Sequence, residues 1–276
     1  MWRHAIDSNN MNKMILTRRS CMASLTSAAL AKTPTTRLIA HRGAHGESEP
    51  ENSAAAMQRA IHRSYWMVEV DLRRTADGKW VVVHDQNLKR LCGVDREVRS
   101  SSWKELQAMK LGATSERILL WEELLELLNG RIGVWLDVKD VAVPPEGWNE
   151  LWNPLRKLAS HRPLIAGIHA QGTTFFADKM LTARSIQDLF HLKRAKHDIS
   201  RKCVLCEGLG FALSSESIAW AQRNGVEAVP FVGNWHYPEG VAFEQGAPLI
   251  RRFQRERVEI FMIDPIFESL FGKAKE

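Results

Sequence analysis

Residues 65–85 of this chain, YWMVEVDLRRTADGKWVVVHD, contain a strand whose two faces differ in chemistry. Side chains alternate across a β-strand, so Glu69 and Asp71 share one face while the intervening valines and Leu72 share the other. Carboxylates that point into a protein interior are costly unless a cation or hydrogen-bond donors partner them. The pattern therefore predicts a strand that packs its apolar face against helices and turns its acids toward a charged site.

The stretch IGVWLDVKD, residues 132–140, repeats this arrangement. Trp135, Asp137 and Lys139 face one way, and the apolar residues between them face the other. Glu69, Asp71 and Asp137 together offer only oxygen ligands, which suit a hard ion such as Mg²⁺ or Ca²⁺. We therefore expect one divalent cation bound by these three carboxylates, with Lys139 beside them.

Short apolar runs alternate with helical patterns from residue 37 onward. We predict eight strands: Leu38–His41, Met67–Leu72, Trp80–His84, Ile132–Val138, Leu164–His169, Lys202–Glu207, Glu227–Val232 and Glu259–Ile263. Helical segments with apolar residues at three- and four-residue spacing lie between most of them. This alternation over ~240 residues predicts an α/β fold, a (β/α)₈ TIM barrel, occupying residues 32–276 as one domain.

Two histidines end predicted strands. His41 follows the run LIA at residues 38–40, and His84 follows VVV at residues 81–83. The carboxyl ends of barrel strands meet at one mouth, which is where such barrels hold their active sites. Imidazoles, a guanidinium, an ammonium and a metal around one opening favour phosphate chemistry with proton transfer.

The linked motifs in residues 41–61, HRGAHGESEPENSAAAMQRAI, and in residues 68–85, VEVDLRRTADGKWVVVHD, resemble the glycerophosphodiester phosphodiesterase family. The resemblance is strong over the first hundred residues and continues through IGVWLDVKD. It implies a metal-dependent phosphoric diester hydrolase that releases glycerol phosphate and an alcohol from a small-molecule phosphodiester. Asp137 stands where the family usually has glutamate.

The resemblance also implies roles for individual side chains. His41 and His84 would be the acid–base pair, with His84 favoured as the acid. The expected phosphate ligands are Arg42 and Lys139, and the expected metal ligands are Glu69, Asp71 and Asp137. Glu51 either orients Arg42, touches the substrate alcohol, or complements the dipole of the following helix. Trp235 either offers an apolar wall to the alcohol or packs on a neighbour at the rim.

Two other functions remain open at this stage. A lysophospholipid or sphingolipid phospholipase-D-like enzyme would use the same mouth with an apolar entrance. A non-catalytic phosphate-binding barrel is the other alternative, suggested by Asp137 in place of glutamate.

Charge and composition narrow the remaining possibilities. The net charge is +6, and Arg3, Lys13, Arg18 and Arg19 against Asp7 place three units of it before residue 32, so the rest of the chain does not favour a nucleic-acid partner. No apolar run reaches the ~20 residues that span a bilayer, so we expect no stable membrane insertion. The oligomeric state is left open.

Residues 1–31 differ from the rest of the chain. A paired arginine precedes the segment SCMASLTSAALA, in which Ala29 and Ala31 form a small-x-small pattern. This resembles a twin-arginine export signal and predicts a periplasmic or secreted protein; a disordered leader on a cytoplasmic protein is the alternative.

Three cysteines would remain after cleavage, and Cys203 and Cys206 would face opposite sides of a strand, so we expect core packing rather than a disulfide.

Overall fold

Strands and helices alternate along the computed structural model, which describes residues 36–158, 162–207 and 213–273. The strands are β1 (Arg37–Ala40), β2 (Met67–Arg74), β3 (Trp80–Val82), β4 (Leu119–Leu120), β5 (Gly133–Val138), β6 (Leu164–Ala166), β7 (Leu181–Arg184), β8 (Cys203–Leu205), β9 (Glu227–Ala228), β10 (Phe231–Val232) and β11 (Ile260–Ile263). The helices are α1 (Ala54–His62), α2 (Lys89–Cys92), α3 (Trp103–Leu106), α4 (Trp121–Leu128), α5 (Pro145–Leu155), α6 (Ala170–Phe176), α7 (Ile186–Arg194), α8 (Ser215–Arg223) and α9 (Ala242–Arg255). Short 3₁₀ segments occur at Val98–Ser100, Asn234–His236 and Pro265–Phe271. The predicted export signal, residues 1–31, lies outside the described residues and stays a prediction.

The parallel strands close into a barrel. Their order is β10-β11-β1-β2-β5-β6-β7-β8-β9, and β9 and β10 form one crossing that is interrupted only at Val229 and Pro230. Pro230 has no N–H to donate to a ladder. Pairing continues through this interruption, because the Val229 N–H donates to Leu205 O at 2.8 Å and the Met262 N–H donates to Pro230 O at 3.0 Å. The structure thus confirms the predicted (β/α)₈ barrel.

One predicted barrel strand is wrong and one barrel strand was not predicted, so the predicted number of eight is still correct for the described residues. The predicted strand Trp80–His84 is β3, which pairs antiparallel with β2 and lies off the barrel path. The turn at Asp77 and Gly78 is the cause, since a tight hairpin turn can join only antiparallel strands. The barrel strand that the sequence analysis missed is β7, whose four residues LTAR carry polar side chains at alternate positions and lack an apolar run.

Side chains alternate across the barrel wall as predicted. The inward-facing apolar residues form one cluster, which contains Ile39, Met67, Trp135, Ile165, Ala183, Val204, Cys206, Val229, Phe231, Ile260 and Met262. The outward-facing residues, among them Val68, Val70 and Leu136, pack with the helices in a second cluster. Cys203 belongs to the outer cluster and Cys206 to the inner one. The expected core packing of these two cysteines is confirmed.

The helices cover the outside of the barrel with their apolar faces. Trp121 in α4 is fully buried, and its indole N–H donates to Leu151 O of α5 at 3.1 Å. Ile250 and Phe253 are buried on the inner face of α9. Among the residues that the structure describes, no helix has both the length and the apolar character needed to cross a bilayer.

Substitution of Phe253 by alanine tests the outer packing layer. The side chain is fully buried in the outer cluster, so we expect Phe253→Ala to lower the free energy of unfolding by about 3–5 kcal/mol in urea titrations. The matched control is Arg251→Ala on the exposed face of the same helix, with an expected change within about 0.5 kcal/mol. Equal losses in the two variants would contradict this packing.

Candidate active site

The carboxyl ends of the barrel strands surround a cavity of about 390 Å³. Its walls include most of the side chains singled out from sequence, namely His41, Arg42, Glu69, His84, Asp137, Lys139 and Trp235. Asp71 is fully buried beneath this cavity, and Glu51 lies behind Arg42. The structure therefore brings the predicted residues to one mouth.

Three carboxylates converge at the wall formed by β2 and β5. Asp71 pairs in register with Asp137, and Glu69 lies one inward position earlier on β2. One oxygen from each of Glu69, Asp71 and Asp137 lies within 4.8 Å of the others. The aspartate at position 137 thus reaches the cluster despite its shorter side chain.

The charges of this cluster strongly affect one another. Burial raises the pKa of Glu69 well above its ordinary value, and the neighbouring Asp71 and Asp137 raise it further. Burial would also raise the pKa of Asp71, but the cations Lys139 and Arg42 hold it below its ordinary value. Lys139 Nζ lies 3.0 Å from Asp71 and 2.8 Å from Asp137. The protein's own cations therefore only partly neutralise the carboxylates.

The donor set fits a hard divalent cation. Only oxygen atoms converge here, as Mg²⁺ and Ca²⁺ prefer. Asp71 Oδ1 is buried and lies 3.0 Å from Lys139 Nζ, but it accepts no hydrogen bond of good geometry from the described residues, so it retains a lone pair for a ligand. The other oxygen, Oδ2, accepts a hydrogen bond of 2.7 Å from the Asn52 amide. Glu69, Asp71 and Asp137 form a possible metal-binding site.

Arg42 is positioned by its backbone as much as by its side chain. It has a φ of 53° and is followed by Gly43 with a φ of 80°, and a Cβ at Gly43 would lie 2.9 Å from the Ala56 Cβ. The Arg42 N–H donates to Glu69 at 2.8 Å. Its guanidinium donates to Glu51 at 2.9 Å. Glu51 thus orients Arg42, and contact of Glu51 with the substrate alcohol stays a prediction.

Each of the two histidines has an aspartate at Nδ1. His41 Nδ1 lies 2.7 Å from Asp264, and His84 Nδ1 lies 2.7 Å from Asp85. Such pairing fixes the ring orientation and leaves Nε2 as the nitrogen available for proton transfer. Burial lowers the pKa of the His84 imidazole below its ordinary value, although Asp71 and Asp85 oppose the shift.

His84 reaches the mouth by a route that the sequence analysis did not predict. β2 extends past the barrel rim, and β3 returns antiparallel along it, so that the Val83 N–H donates to Asp71 O at 3.0 Å. His84, which follows Val83, therefore lies at the height of the acidic cluster. Its predicted place at the mouth therefore depends on a hairpin and not on a barrel strand.

Asp264 contacts a predicted site residue, but the sequence analysis did not single it out. It follows β11, and β11 pairs with β1 so that Ile263 lies opposite Ala40. The next residues on the two strands are therefore Asp264 and His41. The signal was present in the sequence, because in a closed eight-stranded barrel the last strand lies beside the first.

Trp235 lies on the opposite side of the cavity. Its side chain is 54% exposed, and its ring centroid lies 6.0 Å from that of Phe231. Ile168, which is 45% exposed, also lines the cavity and follows β6, the strand beside β5. The mouth therefore combines the charged wall of β2 and β5 with two exposed apolar side chains, Trp235 and Ile168.

Substitution of Asp264 tests how its ionised carboxylate contributes to the fold. Burial would raise the pKa of Asp264, but His41 and then His45 hold it well below its ordinary range. Because the folded-state pKa is depressed, the stabilisation is present above the unfolded-state pKa of about 3.9 and is lost as the pH falls. We expect Asp264→Asn to lower the free energy of unfolding by about 1–3 kcal/mol at pH 7, and this difference from wild type should shrink below about pH 4.

Urea titrations at pH 7, 4 and 3 in the presence of a chelator measure this difference. The control is Asp178→Asn, where the side chain is 89% exposed and we expect a change within about 0.5 kcal/mol. A difference for Asp264→Asn that stays constant down to pH 3 would show that the ionised carboxylate is not its source.

Comparison with known proteins finds similarity to phosphodiesterases. The model of the glycerophosphoryl diester phosphodiesterase family matches residues 41–142. A glycerophosphodiester phosphodiesterase of Bacillus altitudinis is 31% identical over 112 residues, which cover 38% of this chain and 44% of that protein. A lysophospholipase D of Rattus norvegicus is 38% identical over 102 residues, covering 33% of this chain and 32% of that protein. The chain thus matches less than half of the length of either relative.

Solved structures extend the likeness to the whole barrel. A phosphodiesterase of Oleispira antarctica, solved with the product sn-glycerol-3-phosphate, has a TM-score of 0.64 and 18% identity, and the match covers 87% of this chain and 98% of that one. At this identity the likeness shows the fold alone. The matched residues 41–142 contain the acidic cluster, both histidines and the two cations beside them. Over these residues, the chain is similar to the glycerophosphoryl diester phosphodiesterase family.

Proposed function

We propose that this protein hydrolyses a glycerophosphodiester to glycerol phosphate and an alcohol. The observation that carries the proposal is the convergence of the carboxylate cluster, two aspartate-held imidazoles and two cations on one cavity. The three carboxylates of the cluster, the two histidines and the two cations lie in the segment that the family model matches, and Asp264 lies outside it. The sn-glycerol-3-phosphate bound to the Oleispira antarctica enzyme supports the product class.

The cations of the site are suited to bind the phosphate. Arg42 and Lys139 both line the cavity, and hydrogen bonds with charged donors are strong where water is excluded. A divalent cation, Mg²⁺ or Ca²⁺, held by the acidic cluster would withdraw further charge from a non-bridging phosphate oxygen. Lys139 also balances the carboxylates, since Asp71 and Asp137 raise its pKa against the effect of burial.

The two imidazoles are suited to move the protons. One histidine takes a proton from the attacking oxygen, which belongs to water or to a neighbouring substrate hydroxyl, and the other protonates the departing alkoxide. The lowered pKa of His84 favours the neutral ring, which accepts a proton. It therefore supports His84 as the base and His41 as the acid, the reverse of the assignment favoured from sequence.

Alanine substitutions test the acid–base pair. We expect His41→Ala and His84→Ala each to reduce kcat by about 10²–10⁴-fold, measured by coupled release of glycerol phosphate, with unchanged far-ultraviolet circular dichroism. The control His62→Ala changes an exposed histidine at the end of α1 and should leave the rate unchanged. Near-normal turnover in either active-site variant would refute the assignment.

Substitution of Asn52 tests the metal site without touching a ligand. Asn52 is buried, and its amide makes hydrogen bonds with both the carboxylate and the backbone N–H of Asp71. Its φ of 60° is one that glycine adopts readily. We expect Asn52→Gly to weaken Mg²⁺ or Ca²⁺ binding by about 10–100-fold, measured by calorimetric titration. The control is Asn149→Gly on the exposed side of α5, and equal affinities in the two variants would contradict this role.

A chelator separates the proposed enzyme from a non-catalytic phosphate-binding barrel. We expect activity that is abolished by EDTA and restored by Mg²⁺ or Ca²⁺. Phosphate binding without turnover in the presence of either metal would favour the non-catalytic phosphate-binding barrel.

A lysophospholipid is the second candidate substrate. The similarity to a lysophospholipase D and the exposed Ile168 and Trp235 at the mouth favour it. Rates on lysophosphatidylcholine and on glycerophosphocholine, which differ only in the acyl chain, decide between the two substrates.

A further inference from the structure

We propose that a second cavity beside the active site binds an additional phosphate group on the alcohol part of the substrate. This inference deepens the proposed function and rests on it. The second cavity has a volume of about 340 Å³ and lies between the end of β2 and residues 139–144. Lys139 lines both cavities, so a substrate held at the first reaches the second past this side chain.

The second cavity is positively charged. Its walls contain the cations Arg73, Arg74, Arg99 and Lys139, and Asp140 is the one carboxylate among the described residues that line it. Arg74 also pairs with Glu150 at 2.8 Å, and Lys139 pairs with Asp71 and Asp137, so the excess positive charge comes from Arg73 and Arg99. Both oxygens of Asp140 are already engaged, one with the Arg74 N–H at 2.7 Å and the other with the Arg73 guanidinium at 3.4 Å. A cleft with an excess of one charge concentrates the opposite charge within it.

Arg99 has the most freedom to meet a ligand. Its side chain is 75% exposed, and its Nε lies 3.8 Å from the Glu97 carboxylate, beyond hydrogen-bond distance. Arg73 is held more firmly, since it donates to the His84 carbonyl at 2.7 Å. A fixed guanidinium and a movable one on the same cavity match a phosphate, which takes bidentate hydrogen bonds from arginine.

The spacing between the two cavities limits the length of the ligand. Arg73 follows Asp71 by two residues on the same face of β2, a rise of about 7 Å along the strand. The Lys139 N–H donates to Leu72 O at 3.0 Å, so Lys139 lies at the height of Leu72, between Asp71 and Arg73. A second phosphate on a three-carbon alcohol spans this distance, and we therefore assign the site to a phosphorylated glycerol as the leaving alcohol.

The test compares two substrates that differ by one phosphate. These are glycerophosphoglycerol and the same compound phosphorylated on its distal hydroxyl, assayed with Mg²⁺ or Ca²⁺ at low salt. We expect wild-type kcat/KM to be about tenfold higher for the phosphorylated compound. Arg99→Gln should lower this ratio by about threefold, because the side chain is well solvated, and Arg99→Glu should lower it further through repulsion.

Arg96→Gln is the matched control. Arg96 lies three residues earlier on the same segment, pairs with Glu105 at 2.6 Å, and does not line the second cavity. Its variant should keep the wild-type ratio. Because surface charges are screened by salt, the wild-type preference should also weaken in about 0.5 M NaCl.

The outcomes separate the two proposals. Hydrolysis of glycerophosphoglycerol with a wild-type ratio near one would overturn the second site and leave the proposed function intact. A preference that Arg99→Gln and Arg96→Gln reduce equally would also overturn it, since general surface charge would then be the cause. If neither diester is hydrolysed with either metal, the proposed function is wrong and this inference fails with it.

Discussion

The mutual repulsion of three carboxylates at one end of a closed barrel is the constraint on which the rest of the site depends. Two unit charges about 5 Å apart repel by roughly 3 kcal/mol at an effective dielectric constant of about 20, and Glu69 and Asp71 are also buried. Lys139, Arg42 and the Asn52 amide all contact Asp71. Much of the polar architecture of the mouth therefore serves to hold negative charge where a cation can bind.

Backbone geometry supports the same purpose. Arg42 and Asn52 both occupy the left-handed region, with φ values of 53° and 60°, and the Asn52 N–H donates to Arg42 O at 2.9 Å. These two turns bring a backbone N–H to Glu69 and a side-chain amide to Asp71. Such strained conformations persist only where surrounding contacts compensate for them, and here those contacts include the acidic cluster itself.

Barrel closure determines which carboxylate contacts His41. Because β11 pairs with β1, Asp264 approaches from more than two hundred residues away along the chain. The Asn234 N–H also donates to Asp264 at 2.6 Å, which links His41 to the segment that carries Trp235. His41 and the segment that carries Trp235 thus share one buried carboxylate.

The sequence by itself determined the barrel, the inward face of each acidic strand and the identity of the clustered side chains, because alternation along a strand is a local property. It could not show that LTAR completes the barrel, or that the hairpin of β2 and β3 places His84 beside the acidic cluster. Those features depend on which strands become neighbours, and strand pairing is decided by contacts between residues far apart in the chain. The second, positively charged cavity belongs to the same class, since Arg99 and Lys139 meet only when the segment after β3 packs against the end of β5.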